Sequence, residues 1–330
     1  MTPDRQQQLV AALATSAQDD VAALMADVRR EARRRAQERL VEAYTEALVR
    51  AATRQPAEPS PQPHTWATSG ASRGCYVYAV VSGDGTGADA AEGIEPGGPV
   101  EVISVGDISA VVSEVDVDVM RTHGANPDVA DDGWLARAAR AHEGVVCAAF
   151  RSAPTIPMRF GVVHPTRDDV ERLLGQHADS FRRELQRLEG TAEWGVKIYA
   201  DRRRLASYVG SARDVAEPAA DGGRAYLLRE RARRTVDQEI QAFVAERVAQ
   251  ITTSLEQVAT DAVTGPVSAV VGEAPVFSGF YLVSLGDESQ LEEIVGNFAG
   301  GGDEAGLTTQ LSGPWPAYHF TSLRLEAHRA

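Results

Sequence analysis

The chain has 330 residues, of which 43% are hydrophobic and 24% are charged, so it can bury a core and is not globally disordered. Its length predicts about two domains. The formal net charge of -14 argues against a general nucleic-acid binder and against a cationic membrane binder. The sequence has no run of 18 apolar residues, no secretion signal and only two cysteines. These features predict a cytoplasmic protein with no membrane span and no disulfide framework.

The N-terminal segment has a helical pattern. Residues 4–54 contain neither glycine nor proline, and their apolar side chains recur at multiples of three to four positions. This spacing predicts a helical N-terminal extension over 1–54, as one amphipathic helix or a helical hairpin. Its centre, 29–39, carries six arginines. The arginines form either a solvated face with intrahelical ion pairs or a basic surface that docks an acidic partner, including the chain's own segment 83–132. The apolar stripe of 4–54 needs a cover, and self-association of this segment, an accessory protein or the long helix of this chain would supply it.

A proline-rich segment separates this extension from the rest of the chain. Residues 55–73 contain four prolines and one large apolar side chain, Trp66, a composition that favours polyproline II and cannot close a core. We therefore predict a linker and a domain boundary here. The next part of the chain, 83–132, holds twelve acidic residues and one basic residue, Arg121, and so carries most of the net charge.

The stretch 74–193 is predicted to form an α+β domain. Segments rich in β-branched and aromatic residues predict strands, and segments with a 3.6-residue apolar period predict helices. The predicted strands lie at 75–82, 100–105, 108–115 and 155–163, and the predicted helices lie at 134–150 and 166–189.

The stretch 194–330 is predicted to form a second domain. Its elements come in the order strand, helix, strand, helix, strand, which is typical of a ferredoxin-like α+β unit. The predicted elements are a strand at 194–200, a helix around 201–210, a long helix over most of 224–264, a strand at 276–285, a helix at 287–299, and closing strands at 307–313 and 317–325.

The sequence contains no local motif that predicts a reactive or metal-binding site. The seven histidines never pair at a four-residue spacing, and no CxxC or HExxH occurs, so no metal site is predicted from local spacing. The segment 83–88 fits GxGxxA formally, but the acidic residues that follow it would repel a pyrophosphate. The sequence predicts no catalytic residue, no cofactor and no metal ion.

Three residues nevertheless could form acid–base machinery if they converged: His142 and Glu143 on a predicted helix, and Arg159 on the next strand. Adjacent helix positions point about 100° apart, so His142 and Glu143 do not share a face. We expect instead that Arg159 and Glu143 form a buried ion pair and that His142 is a packing residue. Lys197, the single lysine of the chain, is expected to lay its stem along an apolar surface.

Several segments, each weak alone, together resemble the gas vesicle protein L/F family (GvpL/GvpF). Their order and spacing across 74–322 make the resemblance specific. They are Tyr76-Val77-Tyr78, the strand 108–115, His142-Glu143, Pro157-Met158-Arg159-Phe160-Gly161, Glu193-Trp194-Gly195-Val196-Lys197, Tyr226-Leu227-Leu228, Phe280-Tyr281-Leu282-Val283, and Gly313-Pro314-Trp315-Pro316 with Tyr318 and Phe320.

The resemblance implies an α+β N-terminal domain, a ferredoxin-like C-terminal domain and no catalytic centre. It implies an accessory protein of gas vesicle assembly, and so of buoyancy, acting as a minor shell component or as a binder of the hydrophobic main shell protein, with other accessory proteins as partners. The motif positions are expected to be structural or to make protein contacts. Trp194, Trp315 and the pair Pro314 and Pro316 are expected to fix strand ends and to pack the domain interface. The alternative is a small-molecule-binding or enzymatic ferredoxin-like protein that uses His142, Glu143 and Arg159.

Overall fold

The structure is a computed structural model, and it describes residues 73–321 apart from 86, 88–90, 97, 126–132, 212–222, 266, 268–274 and 304. The predicted N-terminal extension over 1–54 and almost all of the predicted linker over 55–73 lie outside the described residues. No helix in the described part of the chain is long and apolar enough to cross a membrane.

The first sheet has five strands. Its order is β2-β3-β1-β4, and all pairs are antiparallel. The short strand β5 also pairs with β1, at Cys75 and Tyr76, whereas β4 pairs with Ala79, Val80 and Val81. The Gly106-Asp107 turn joins β2 to β3, where Gly106 has φ +67°. The strands are β1 (Arg73–Ser82), β2 (Glu101–Val105), β3 (Ile108–Asp116), β4 (Thr155–Pro157) and β5 (Val163–His164).

Helices pack on both faces of this sheet. On one face, Tyr76, Tyr78 and Val111 pack with α2. On the other face, Val77 and Ile108 pack with α3 and α4. The four helices that follow the strands of this sheet are α1 (Val117–Ala125), α2 (Trp134–Ser152), α3 (Arg167–Gln176) and α4 (Ala178–Leu188).

The second sheet has four antiparallel strands in the order β7-β8-β6-β9. Its strands are β6 (Thr191–Ala200), β7 (Asp261–Thr264), β8 (Phe277–Ser284) and β9 (Leu307–Trp315), and its helices are α5 (Arg202–Ser211), α6 (Gly223–Glu256) and α7 (Glu288–Asp303). The apolar stripe of α6, which includes Ile240, Val244 and Ile251, packs with Leu291 of α7 on one face of the sheet. The fold is therefore a mixture of helices and antiparallel sheets, as predicted.

The two sheets share a hydrophobic core. Leu282 of β8 packs with Phe181 and Leu185 of α4, together with Ala317 and Phe320 from the segment after β9. This core contains residues from both sheets and their helices. The face of the second sheet opposite α6 and α7 is therefore covered, near Leu282, by α4 of the first sheet.

The structure corrects three predicted elements. The helix expected over 166–189 is divided at His177 into α3 and α4, because α3 packs against β2 and β3 whereas α4 packs against β4 and β1. A capping box between Thr166 and Asp169 starts α3.

The strand expected over 155–163 is interrupted between β4 and β5, where Gly161 turns the chain with φ +90°. The closing strand expected at 317–325 is absent from its described part, since Tyr318–Phe320 form a turn. Pro314 and Pro316 have no N–H to continue a strand ladder, and β9 ends between them.

Candidate functional site

The segment that follows β9 lies at the junction of the two sheets. The Tyr318 hydroxyl donates a hydrogen bond of 2.8 Å to Glu143 Oε2 on α2. The Cys147 thiol, one helical turn away, donates to Glu143 Oε1 at 3.1 Å. Burial raises the pKa of Glu143, against the hydrogen bonds from Cys147 and Tyr318, and the nearby Glu193 carboxylate raises it further. The same burial, with the Glu143 charge, raises the pKa of Cys147.

The next residue, His319, is held by a buried carboxylate, that of Glu193. Glu193 of β6 accepts the His319 backbone N–H through Oε2 at 2.8 Å, and its Oε1 lies 2.7 Å from His319 Nδ1. The His319 ring stacks on Phe280 of β8, with 3.5 Å between the ring centroids. Glu193 is 3% exposed, so its two hydrogen bonds with His319 replace the water that the carboxylate loses on burial.

A third contact ties this segment to α4. The Arg187 guanidinium binds both oxygens of Glu184, at 3.1 Å and 2.9 Å, and also donates to the Phe320 carbonyl. We name the segment Pro316–Phe320 with its partners Glu143, Glu193 and Arg187 the junction.

A buried aromatic cluster lies beside the junction, between α2 and the first sheet. His142 Nδ1 lies 2.9 Å from the Tyr76 hydroxyl, and the Gly161 backbone N–H donates to the same hydroxyl at 2.9 Å. The rings of Tyr78 and Phe160 each lie 5.7 Å from the His142 ring. Since the Tyr76 oxygen accepts from Gly161, its own proton is available to His142 Nδ1. Burial lowers the pKa of His142 to about 4, so this imidazole is neutral at pH 7.

The Pro157–Gly161 motif closes over this cluster. Its Met158 backbone N–H donates to the Tyr78 carbonyl at 2.9 Å, and Phe160 packs against the cluster. Arg159 is exposed, and it makes no ion pair or hydrogen bond with His142 or Glu143. The expected buried ion pair between Arg159 and Glu143 is therefore wrong. The interrupted strand is the reason, because it places residue 159 in a surface turn and leaves Tyr318 to satisfy Glu143.

The motif around Trp194 and the Gly313–Pro316 motif meet in the second sheet. A Cβ atom on Gly313, where φ is +137°, would lie 2.9 Å from the Glu193 carbonyl oxygen and from the Trp194 ring. A Cβ on Gly195 would lie 2.8 Å from Ser312 Oγ. Gly313 requires glycine because of its positive φ and the close backbone oxygen, whereas at Gly195 the Ser312 side chain would have to move. The peptide between Gly313 and Pro314 is cis.

The indole N–H groups of Trp194 and Trp315 are buried and have no hydrogen-bond partner in the described structure. Trp194 packs in the core of the second sheet. Lys197 points to the opposite face of this sheet, where it is half-buried, and burial lowers its pKa.

The three residues of the enzymatic alternative do not converge. His142 binds Tyr76, Glu143 binds Tyr318, and Arg159 faces solvent. Within the described ranges, no group of three or more His, Cys, Asp or Glu side chains is placed to hold a metal ion.

The motifs that build the junction and the aromatic cluster are those of a known family. The family profile described as "Gas vesicle synthesis protein GvpL/GvpF" matches residues 74–322. The chain belongs to the GvpL/GvpF family. It is 34% identical over 262 residues to "Gas vesicle protein L" of Streptomyces sp. strain CB03234, a match that covers 76% of this chain and 94% of that protein.

Solved structures of GvpL/GvpF proteins have the same fold. The crystal structure of GvpF from Anabaena sp. PCC7120 matches with a TM-score of 0.60 at 17% identity, covering 78% of this chain and 100% of that one. The crystal structure of GvpF from Microcystis aeruginosa matches with a TM-score of 0.53 at 18% identity, covering 76% of this chain and 99% of that one. The resemblance drawn from the sequence is thereby confirmed, and the enzymatic alternative is not supported.

Sequence reasoning gave no role in the junction to Glu193, His319 or Arg187. Glu193 belongs to a motif of the resemblance, whereas His319 and Arg187 lie outside those motifs. The signal that could have drawn attention to Glu193 is a carboxylate inside an otherwise apolar strand, because such a group needs a partner when buried.

Proposed function

We propose that this GvpL/GvpF protein acts without catalysis in gas vesicle assembly, binding other gas vesicle proteins through its surface. The contacts that the family-motif residues make in the fold support this proposal. Glu143 binds Tyr318, Glu193 binds His319, and the Gly161 N–H donates to the Tyr76 hydroxyl, so each contact joins distant parts of the fold. Such an arrangement fits a rigid body that presents surfaces to partners.

We infer that this body has two domains, an α+β domain over 74–193 and a ferredoxin-like domain over 194–330. The strand order β7-β8-β6-β9 supports the second assignment, because it is the order of a β-α-β-β-α-β unit whose first strand is β6. The strand β6, which opens the proposed second domain, begins at Thr191, and this favours a boundary three residues earlier, at Gly190. The junction and the shared core around Leu282 would join the two domains.

The partner that we propose first is the main gas vesicle shell protein, with other gas vesicle accessory proteins as further partners. A small hydrophobic shell subunit released into water aggregates through its edge strands and apolar patches. An accessory protein that holds such a subunit, or that joins the shell as a minor component, would prevent this. The protein would then act in the cytoplasm and at the gas vesicle.

In this proposal, nine motif positions support the fold: His142, Pro157, Gly161, Trp194, Gly195, Gly313, Pro314, Trp315 and Pro316.

Co-purification tests this proposal. The affinity-tagged full chain is isolated from vesicle-producing cells, and the eluate is probed for the main shell protein. We expect the shell protein in the eluate, and we expect cells that lack the chain to form few or no vesicles. A Tyr318→Phe variant, which weakens the junction, shows how much vesicle formation falls when only the stability of the chain is reduced. Normal vesicle formation without the chain, with no shell protein recovered, would contradict the proposal.

A further inference from the structure

We propose that the outer edge of β9 docks an extended strand of the main gas vesicle shell protein, and that Lys197 binds an acidic side chain of that strand. The inference rests on the proposed function, because it names the surface through which the partner is held. Two observations carry it: the open hydrogen-bonding edge of β9 and the position of one lysine beside it.

β9 lies at one edge of the second sheet, and among the described residues it pairs only with β6. The hydrogen bond from the Asp201 N–H to the Gly306 carbonyl sets the alternation of this antiparallel ladder. In that alternation, Thr308, Gln310 and Ser312 turn their N–H and C=O groups towards β6. Thr309 and Leu311 therefore turn theirs outwards, and these groups bind no other described residue.

The other edges of the two sheets are short or protected. β2 has five residues, and its Glu101 pairs with Arg167 of the adjacent α3. β4 has three residues, and β7 has four and begins with Asp261. β9 has nine residues and no charged side chain from Leu307 to Trp315, and its proline, Pro314, lies beyond the regular ladder with β6 over 307–312. Proteins normally blunt a long edge with charges or a central proline, so the open edge of β9 indicates a strand that pairs with it.

Lys197 lies directly across from Gln310 in the ladder, so both side chains occupy the sheet face opposite the α6–α7 core. The neighbours on that face are uncharged: Tyr199, whose hydroxyl donates to Gln310 at 3.2 Å, and Ser278. Lys197 makes no ion pair in the described structure. A strand added beside β9 would place its residue opposite Gln310 about 10 Å from the Lys197 Cα, within reach of a lysine and a carboxylate side chain.

A second copy of this chain fits the edge less well. Its β9 has no carboxylate to offer, so both copies of Lys197 would stay unpaired. The approach would also bring together two chains that each carry a net charge of -14. The unpaired cation therefore favours a different chain with an acidic residue in its strand.

The test measures binding of the full chain to the purified main shell protein in detergent, by fluorescence anisotropy of labelled shell protein. Thr309→Pro removes an outward N–H and leaves the bonds to β6 in place, whereas Thr309→Ala removes only the side chain. We expect Thr309→Pro to weaken binding about tenfold or more, because each lost bond leaves a partner group unpaired. We expect Thr309→Ala to bind like the wild type. Circular dichroism and melting curves check that both variants fold.

Lys197 gives a separate readout. Lys197→Gln should weaken binding severalfold and reduce its salt dependence, and Lys197→Arg should restore both, because charge attraction near a surface is screened by salt. Amide exchange of 307–312 should slow when the shell protein is added.

Each outcome decides between the proposals. Equal binding by the wild type and a folded Thr309→Pro variant, with no exchange protection in β9, would overturn the edge site and leave the proposed function standing. Dimerisation of the chain that Thr309→Pro abolishes, with no effect on shell-protein binding, would overturn it in favour of a second copy. No binding of the shell protein by the wild-type chain would overturn both proposals.

Discussion

The Tyr318 hydroxyl and the Glu143 carboxylate, 175 residues apart in sequence, lie 2.8 Å apart. This hydrogen bond joins the segment after the last strand to a helix of the first sheet. Glu143 is partly buried, so its two protein donors replace part of the solvation that water would otherwise supply. The neighbouring pair of Glu193 and His319 repeats the arrangement one residue further along.

Tyr318→Phe removes one of the two donors to Glu143. We expect the free energy of unfolding to fall by about 1–3 kcal/mol, because the partly buried Glu143 Oε2 loses its donor. The measurement is urea denaturation at pH 7. Tyr199→Phe is the matched control, since its hydroxyl bonds to Gln310 on a half-exposed face and its loss should cost about 0.5 kcal/mol or less. Equal losses of unfolding free energy in the two variants would show that the Tyr318 hydrogen bond stabilises the fold no more than the Tyr199 bond does.

His142 should make the protein sensitive to acid. Burial lowers the pKa of His142 from 6.5 to about 4, so between these values the unfolded state binds a proton that the folded state does not. Stability that is present above pH 6.5 is therefore lost as the pH falls towards 4, at about 1.4 kcal/mol per pH unit.

His142→Gln keeps an acceptor for the Tyr76 hydroxyl and cannot titrate. We expect the difference in unfolding free energy between the wild type and His142→Gln to shrink by that slope from pH 6.5 down to pH 4. A constant difference across this range would mean that His142 is already accessible to protons in the folded protein.

Two glycines should respond to alanine in opposite directions. At Gly313, φ is +137° and a Cβ would lie 2.9 Å from backbone and ring atoms, so Gly313→Ala should cost on the order of 3 kcal/mol. At Gly144, inside α2, a Cβ would meet nothing within 4 Å, so Gly144→Ala should stabilise by about 0.5–1 kcal/mol. Thermal unfolding of both variants measures this. A neutral Gly313→Ala would show that the strand end moves freely to make room.

Arg159→Ala should leave stability nearly unchanged, within about 0.5 kcal/mol, because the side chain is exposed and holds no buried carboxylate. The melting temperature of the purified variant and vesicle formation in producing cells are measured together. Vesicle loss at an unchanged melting temperature would assign Arg159 a contact with a partner. A fall of several kcal/mol would instead restore the structural role that the sequence suggested.

Most of the secondary structure could be predicted from the sequence. The strands β1, β2, β3, β6 and β8 and the helices α2, α5, α6 and α7 lie where the apolar periods place them, to within a few residues. The errors fall where tertiary contacts interrupt a local pattern. The apolar run 155–163 has the composition of one strand, yet the Tyr76 hydroxyl binds the Gly161 N–H and the chain turns there.

The candidate site was predictable only as a set of motif positions. Glu143, Glu193 and Arg159 look alike in sequence, as charged residues among apolar ones, and the family resemblance could not say which are buried. Their partners are far away in the chain, 175 residues from Glu143 and 126 from Glu193, and no local spacing reports such distances.

Most of the elements and the family could be recognised from the sequence, because helices and strands depend on side chains a few residues apart and the family is marked by motifs in order. The tertiary structure alone decided which carboxylates are buried, which strand edge is left open and where Lys197 stands beside it. Those properties depend on which elements pack together, and packing sets the burial of each charge and the partner of each backbone group.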